Sequence, residues 1–157
     1  GTEVSGVFYC SFLNEDPTLS AVLRTMKLDK FDHLVLPVSD IDLIATFYTT
    51  HLGMEKRTFS NGRVALHFGD QKINLHPAGW DYEPKATVSI AGSADLCFIV
   101  SESVVALRSV LEGSGIDIIE GPITRTGAIG ELCSIYFCDP DGNLIELSNR
   151  VPSDPLD

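Results

Sequence analysis

The residues of this 157-residue chain that are best suited to chemistry are polar side chains set in apolar, strand-like segments. Four of them stand out: His33, Asn74, Asp95 and Glu146. Imidazole and carboxylate groups bind divalent ions such as Zn²⁺, Ni²⁺, Fe²⁺ or Mn²⁺, whereas the carboxamide of an asparagine is a weak, neutral ligand. Glu146 lies between Ile145 and Leu147, and a carboxylate on the core-facing surface of a strand is costly without a partner. Of the two possible partners, a metal ion or an arginine, we expect the metal ion.

Two histidines and Asp95 each allow a structural and a chemical interpretation. A lone histidine in a strand is more often structural than a ligand, but the position of His33 in an internal repeat favours metal contact. His76 follows Asn74 by two residues, so its side chain lies on the same face of a strand. It could supply a metal ligand or a catalytic base, or it could only end the strand before Pro77. Asp95 could bind a metal ion or form a hydrogen bond at a strand start, and both alternatives stay open.

An internal duplication relates these polar residues to one another. An offset of 62 residues superposes His33 on Asp95, and an offset of 72 superposes Asn74 on Glu146. Two copies of a strand–helix–strand–strand–strand unit account for residues 31–149. The sequence therefore predicts an α+β fold built from two βαβββ modules.

Hydrophobic periodicity predicts the same order of elements in both copies. In the first copy it predicts a strand at residues 31–38, a helix that begins at Asp40 and ends near Gly53, and strands at 54–59, 63–68 and 72–76. In the second copy it predicts a strand at 95–100, a helix at 104–111, an extended segment at 116–120, and strands at 132–137 and 144–148 around a turn at 139–143. Arg125 falls in a glycine-rich segment, which we expect to form a loop that serves as a lid over the site.

Composition excludes several classes of function. The chain carries 22 acidic and 11 basic residues, a net charge of −11, so its surface repels phosphate backbones and anionic lipid. No apolar run approaches the roughly 20 residues that span a bilayer. Four cysteines without a CxxC pair are typical of reduced thiols in a reducing compartment. We therefore expect a cytoplasmic protein whose partner is a small molecule, not a nucleic acid or a membrane.

The regular pattern also sets the expected domain limits. Residues 29–152 are expected to form one domain, with modules at about 31–80 and 93–149. The first 28 residues are expected to be an extension of uncertain role, and residues 153–157 a tail.

Two arginines and two aromatic residues are candidates for contact with a substrate. A guanidinium group pairs well with a carboxylate, so Arg63 and Arg125 could bind an anionic substrate, although surface solvation also suits either residue alone. Trp80 and Tyr82 lie in a Pro-rich linker between the modules. They could cover an apolar pocket or serve only in packing.

Three segments of the chain carry a family resemblance: FDHLVL at 31–36, FYTTHLGM at 47–54 and DPDGNLIE at 139–146. They resemble the vicinal-oxygen-chelate superfamily, which contains glyoxalases, bleomycin resistance proteins and extradiol dioxygenases. A finer resemblance is to the branch called glyoxalase domain-containing protein 5, and it is carried by GDQKINLH at 69–76, GP at 121–122 and RTGA at 125–128.

The resemblance implies a cup between curled mixed sheets that holds one divalent metal ion (Zn, Ni, Fe or Mn). It implies metal contact at His33, His76, Asp95 and Glu146, catalytic roles for Glu146 and His76, and substrate contact at Asn74. Asn74 stands where relatives have a carboxylate, and Asp95 where they have a histidine or a glutamine.

The same resemblance implies a function and an assembly. We expect a metal-dependent lyase or isomerase that acts on a small oxygen-rich metabolite, in which the ion serves as a Lewis acid. The alternatives are a metal-free small-molecule-binding protein, like the bleomycin resistance proteins, and an extradiol-type dioxygenase. A homodimer is implied because modules pair across subunits in many relatives.

Overall fold

The computed structural model describes residues 26–81 and 83–152 of the chain. Most of the predicted extension, the predicted tail and Tyr82 therefore lie outside the described residues. The compact unit that contains both modules begins at Phe31. No helix in the described ranges is long and apolar enough to span a membrane.

Both modules have the same order of elements. The first contains β1 (His33–Val38), α1 (Ile41–Leu52), β2 (Glu55–Phe59), β3 (Arg63–Phe68) and β4 (Gln71–Pro77). The second contains β5 (Asp95–Ile99), α2 (Val104–Gly113), β6 (Glu120–Gly127), β7 (Gly130–Cys138) and β8 (Leu144–Arg150).

Each module forms its own four-stranded mixed sheet. The strand order is β1–β4–β3–β2 in the first sheet and β5–β8–β7–β6 in the second, with β1 parallel to β4 and β5 parallel to β8. The two parallel pairs share one register, because His33 is opposite Lys72 and Asp95 is opposite Leu144. These pairs reproduce the offsets of 62 and 72 residues. The predicted α+β fold of two βαβββ modules is confirmed.

The helix of the first module begins and ends where the sequence predicts. The Asp40 carboxylate accepts a hydrogen bond from the Leu43 N–H at 2.9 Å, which satisfies one of the open N–H groups at a helix start. Gly53 closes the helix with a φ of 64°, a left-handed conformation that favours glycine. Between these caps the helix buries one face, formed by Ile44, Ala45 and Tyr48.

One hydrophobic core is shared by the two modules. It contains residues from both, among them Leu36, Ile44, Tyr48, Val104, Ile135, Phe137 and Ile145. Aromatic pairs connect the modules directly: the ring centroids of Phe47 and Phe137 are 6.4 Å apart, and those of Phe68 and Phe98 are 5.3 Å apart. Since alternate side chains of a strand point to opposite faces, the polar residues at His33, Asn74 and Glu146 lie on the sheet faces that point away from this core.

The turn at residues 139–143 fastens the second module to the first. The buried Asp139 carboxylate accepts hydrogen bonds from the Tyr48 hydroxyl at 3.1 Å and from the Asn143 side-chain amide at 2.8 Å. Asp141 accepts one hydrogen bond from the Ser39 N–H at 2.9 Å and another from the Ser39 hydroxyl. The segment that carries the family resemblance most specifically is thus also an inter-module clasp.

Two expectations about the second module are wrong. The segment 116–120 belongs to a strand only at Glu120, and β6 continues through residues that were expected to form a loop. Arg125 therefore lies in the β6–β7 hairpin and not in a lid over the site. The glycines are misleading because Gly127 pairs with Gly130 across a two-residue turn, a connection that tolerates and often requires glycine.

Candidate functional site

The four equivalent polar positions fall on two different sheets. His33 and Asn74 lie on the first sheet, and Asp95 and Glu146 lie on the second. In each pair, the second residue stands two positions beyond the residue that is opposite the first. Within the described part of the chain, no group of three or more His, Cys, Asp or Glu side chains is arranged to hold a metal ion. A single copy therefore does not fit the predicted metal centre, because each sheet supplies only half of the donors.

His33 is oriented by the residue before it. Its Nδ1 atom lies 2.6 Å from a carboxylate oxygen of Asp32, and 44% of its side chain is exposed. A carboxylate at Nδ1 leaves the other ring nitrogen, Nε2, as the atom that can accept an ion or a hydrogen bond. Asp95, the equivalent residue of the second sheet, is also exposed, at the first position of β5.

Asn74 is buried, and its side-chain oxygen Oδ1 has no hydrogen-bond partner among the described residues. Its neighbours on the adjacent strands are Val35 and Ala65, whose side chains carry no polar group. Leaving a buried acceptor unsatisfied costs about 1–3 kcal/mol. This cost falls at the position equivalent to Glu146, where the oxygen is available to accept a hydrogen bond from a bound molecule.

Glu146 is surrounded by hydroxyl groups and not by an arginine. The Ser148 hydroxyl donates a hydrogen bond to Oε1 at 3.2 Å and lies 2.8 Å from the Ser134 hydroxyl. Burial by itself would raise the pKa of Glu146, but hydrogen bonds from Ser134, Tyr136, Ser148 and Cys97 outweigh it and hold the pKa below its ordinary value. The carboxylate is therefore ionised at neutral pH. This state suits a ligand for a cation, or an acceptor of hydrogen bonds, better than a general base.

Arg125 reaches Glu146 only through Tyr136. Its Nε atom donates to the Tyr136 hydroxyl at 3.2 Å, and its Nη2 atom donates to Glu120 at 2.7 Å. The Tyr136 hydroxyl in turn bonds to Glu146, which helps raise the pKa of Tyr136 after the larger effect of burial. The guanidinium thus already has protein partners, and its contact with a substrate stays a prediction.

A cavity of about 290 Å³ lies at the end of β4, beside the linker between the modules. Arg63 and His76 both line it, so the structure brings together two residues that the sequence singled out separately. Burial, and then the charge of Arg63, lower the pKa of His76. Trp80 is part of the wall, as one of its two sequence interpretations expected, and Lys85 is a lining residue that the sequence analysis missed.

Comparison with known proteins gives consistent matches over this region. The sequence model of the Glyoxalase/Bleomycin resistance protein/Dioxygenase superfamily matches residues 30–147. The chain is 53% identical over 126 residues to virulence protein STM3117 of Salmonella typhimurium, which covers 80% of this chain and 88% of that protein. It is 49% identical over 126 residues to glyoxalase domain-containing protein RDO1 of Mycosarcoma maydis, which covers 80% of this chain and 71% of that protein.

Solved structures extend these similarities to the fold. The crystal structure of STM3117 superposes with a TM-score of 0.78 and covers 80% of this chain and all (100%) of that chain. Lactoylglutathione lyase from Agrobacterium tumefaciens gives a TM-score of 0.62 at 20% identity, with 79% of this chain and 96% of that chain covered. TnmS3, an antibiotic binding protein from Streptomyces sp. CB03234, gives 0.61 at 23% identity, with 80% and 99% covered. The last two show a common fold alone.

Proposed function

Since the chain belongs to the Glyoxalase/Bleomycin resistance protein/Dioxygenase superfamily, we propose that it binds a small oxygen-rich molecule on the sheet faces that carry Asn74 and Glu146. Proteins of the same fold are named for action on lactoylglutathione and for binding an antibiotic, both small organic molecules. Placement in the glyoxalase domain-containing protein 5 branch and a cytoplasmic location are part of this proposal.

The observation that carries the proposal is the unsatisfied Oδ1 atom of Asn74. A hydroxyl or amide N–H group of a ligand would supply the missing donor. On the second sheet, the ionised Glu146 offers a charged acceptor for a further donor, and hydrogen bonds to charged groups are stronger than neutral ones. Both features favour a ligand that carries several hydroxyl groups.

We expect the substitution Asn74→Leu to raise the free energy of unfolding by about 1–3 kcal/mol, because leucine has a similar size and no unsatisfied acceptor. The same substitution should abolish ligand binding. Urea denaturation gives the stability. Thermal shift measures binding, since a ligand that binds only the folded state raises Tm. The probes are S-lactoylglutathione and bleomycin, and at least one should raise the Tm of the wild-type protein.

Asn143→Leu is the matched control, because Asn143 is a buried asparagine whose amide bonds to Asp139 and to the Ala94 N–H. That substitution should destabilise the protein. Loss of stability in Asn74→Leu would contradict the proposal, since the amide would then have a structural role. A wild-type Tm that neither probe changes would also contradict it.

A second candidate, a metal-dependent lyase or isomerase, is favoured by the equivalent pairs of donors and by the oriented imidazole of His33. In a homodimer, the first sheet of one copy could face the second sheet of the other and complete the donor set with Asp95 and Glu146. His76 would then be a further ligand or a base. A bound Zn²⁺, Ni²⁺, Fe²⁺ or Mn²⁺ would polarise neighbouring substrate oxygens. An extradiol-type dioxygenase would need the same positions.

Metal content and molar mass test this candidate together. We expect the wild-type protein to be a dimer by light scattering and to bind one divalent ion per copy by plasma mass spectrometry. His33→Ala and Glu146→Ala should each lose the ion, whereas His51→Ala, in α1 beside Phe47, should keep it. A wild-type protein that takes up none of the four ions, or that binds them as a monomer, would eliminate this candidate and leave metal-free binding.

A further inference from the structure

We propose that the cavity beside Trp80 binds a small aromatic carboxylate, with the carboxylate held by Arg63 and Lys85. Its volume of about 290 Å³ is close to the lower end of the range for small-molecule sites, which suits a ligand with a single ring. Neither Asn74 nor Glu146 lines it, so this site does not depend on the proposed function.

The cavity wall is positively charged in a strongly acidic protein. The chain has a net charge of −11, yet Arg63 and Lys85 both line the cavity, and no Asp or Glu does among the described residues. The planar guanidinium of an arginine can bind both oxygens of a carboxylate at once, and a lysine adds a compact positive charge. This distribution of charge selects an anion against a cation or a neutral molecule.

Two acidic residues hold Lys85 from the solvent side. Its Nζ atom lies 3.1 Å from Asp81 and 3.5 Å from Glu83. The side chains of Asp81 and Glu83 are 96% and 71% exposed, whereas that of Lys85 is only 32% exposed. Water screens exposed pairs strongly, so these contacts position the ammonium group without cancelling its attraction for an anion in the less exposed cavity.

The remaining wall suits the apolar body of a ligand. Ile41, Leu75 and Pro77 contribute apolar surface on one side, and Trp80 contributes an indole that is 62% exposed. A hydrogen bond from the Trp80 N–H to the Pro77 carbonyl, at 3.2 Å, fixes the backbone at this point. Aromatic rings attract each other when stacked or edge to face, so a planar ring fits beside Trp80.

Trp80 is the only tryptophan of the chain, so its fluorescence reports directly on the cavity. We expect the full chain at pH 8 to show a saturable fluorescence change with benzoate. Benzamide, which has nearly the same shape and no charge, should bind at least tenfold more weakly. Equal affinity for the two probes, or no saturable change with benzoate, would overturn the proposal.

Substitutions then assign the carboxylate contact. Arg63→Gln should weaken benzoate binding at least tenfold, and Lys85→Met should weaken it about threefold, which provides a second variant if Arg63→Gln folds poorly. Arg57→Gln is the matched control, because Arg57 lies on neighbouring β2, pairs with Glu55 at 2.7 Å and does not line the cavity. It should bind benzoate as the wild type does. Unchanged affinity in both Arg63→Gln and Lys85→Met would overturn the proposal.

Discussion

Replacing Asp139 with alanine should lower the free energy of unfolding by about 3–5 kcal/mol, a large part of the stability of a domain of this size. The Asp139 carboxylate accepts four hydrogen bonds: from the Asp141 and Asn143 N–H groups at 3.0 and 2.9 Å, from the Asn143 amide, and from the Tyr48 hydroxyl. Tyr48 and Asn143 are completely buried, so water cannot replace the lost acceptor. The inter-module clasp would open as a result.

Urea denaturation measures this loss, and two further variants interpret it. Asp139→Asn keeps one acceptor oxygen and should show an intermediate loss. Asp117→Ala changes an exposed aspartate and should alter stability by no more than about 0.5 kcal/mol. If Asp139→Ala cost less than about 1 kcal/mol, the turn at 139–143 would not be what holds the modules together.

Gly121→Ala should cost about 3 kcal/mol or more, because alanine there combines backbone strain with a collision. The φ of Gly121 is +106°, and an added Cβ would lie 2.2 Å from the Ser134 carbonyl oxygen and 2.8 Å from the Ile135 Cα. Both are backbone atoms of β7, which also carries the Ser134 and Tyr136 hydroxyls that bond to Glu146. The substitution should therefore disturb the candidate site as well as the stability.

Gly130→Ala separates the two causes. Gly130 has a similar φ of +113°, but an added Cβ would meet nothing within 4 Å. It should cost only the strain, about 1–2 kcal/mol, when both variants are compared by urea denaturation. Equal losses in the two variants would show that the close approach of Gly121 to β7 is unimportant.

Much of the fold could be predicted because it depends on local periodicity. Apolar alternation identified the strands, and Asp40 and Gly53 marked the ends of α1, since capping depends on residues close in sequence. The repeat offsets even gave the correct register of the parallel strands. The prediction failed around Arg125, where glycines that belong to a hairpin have the same composition as a loop.

The candidate site could be predicted only in part. Strand alternation showed that His33, Asn74 and Glu146 lie on the faces away from the core, since a side chain's face depends only on its position in the strand. It did not identify Lys85 in the linker, whose place in the cavity depends on the path of an irregular segment.

The sequence by itself therefore determined the two modules, their internal order and the faces on which the polar residues lie. Only the tertiary structure decided which of those faces meet. It placed the donor pairs on separate sheets, left the Asn74 oxygen without a partner, and surrounded Glu146 with hydroxyl groups. The physical reason is that periodicity describes each element against its own core, whereas a site depends on contacts between elements that are distant in sequence.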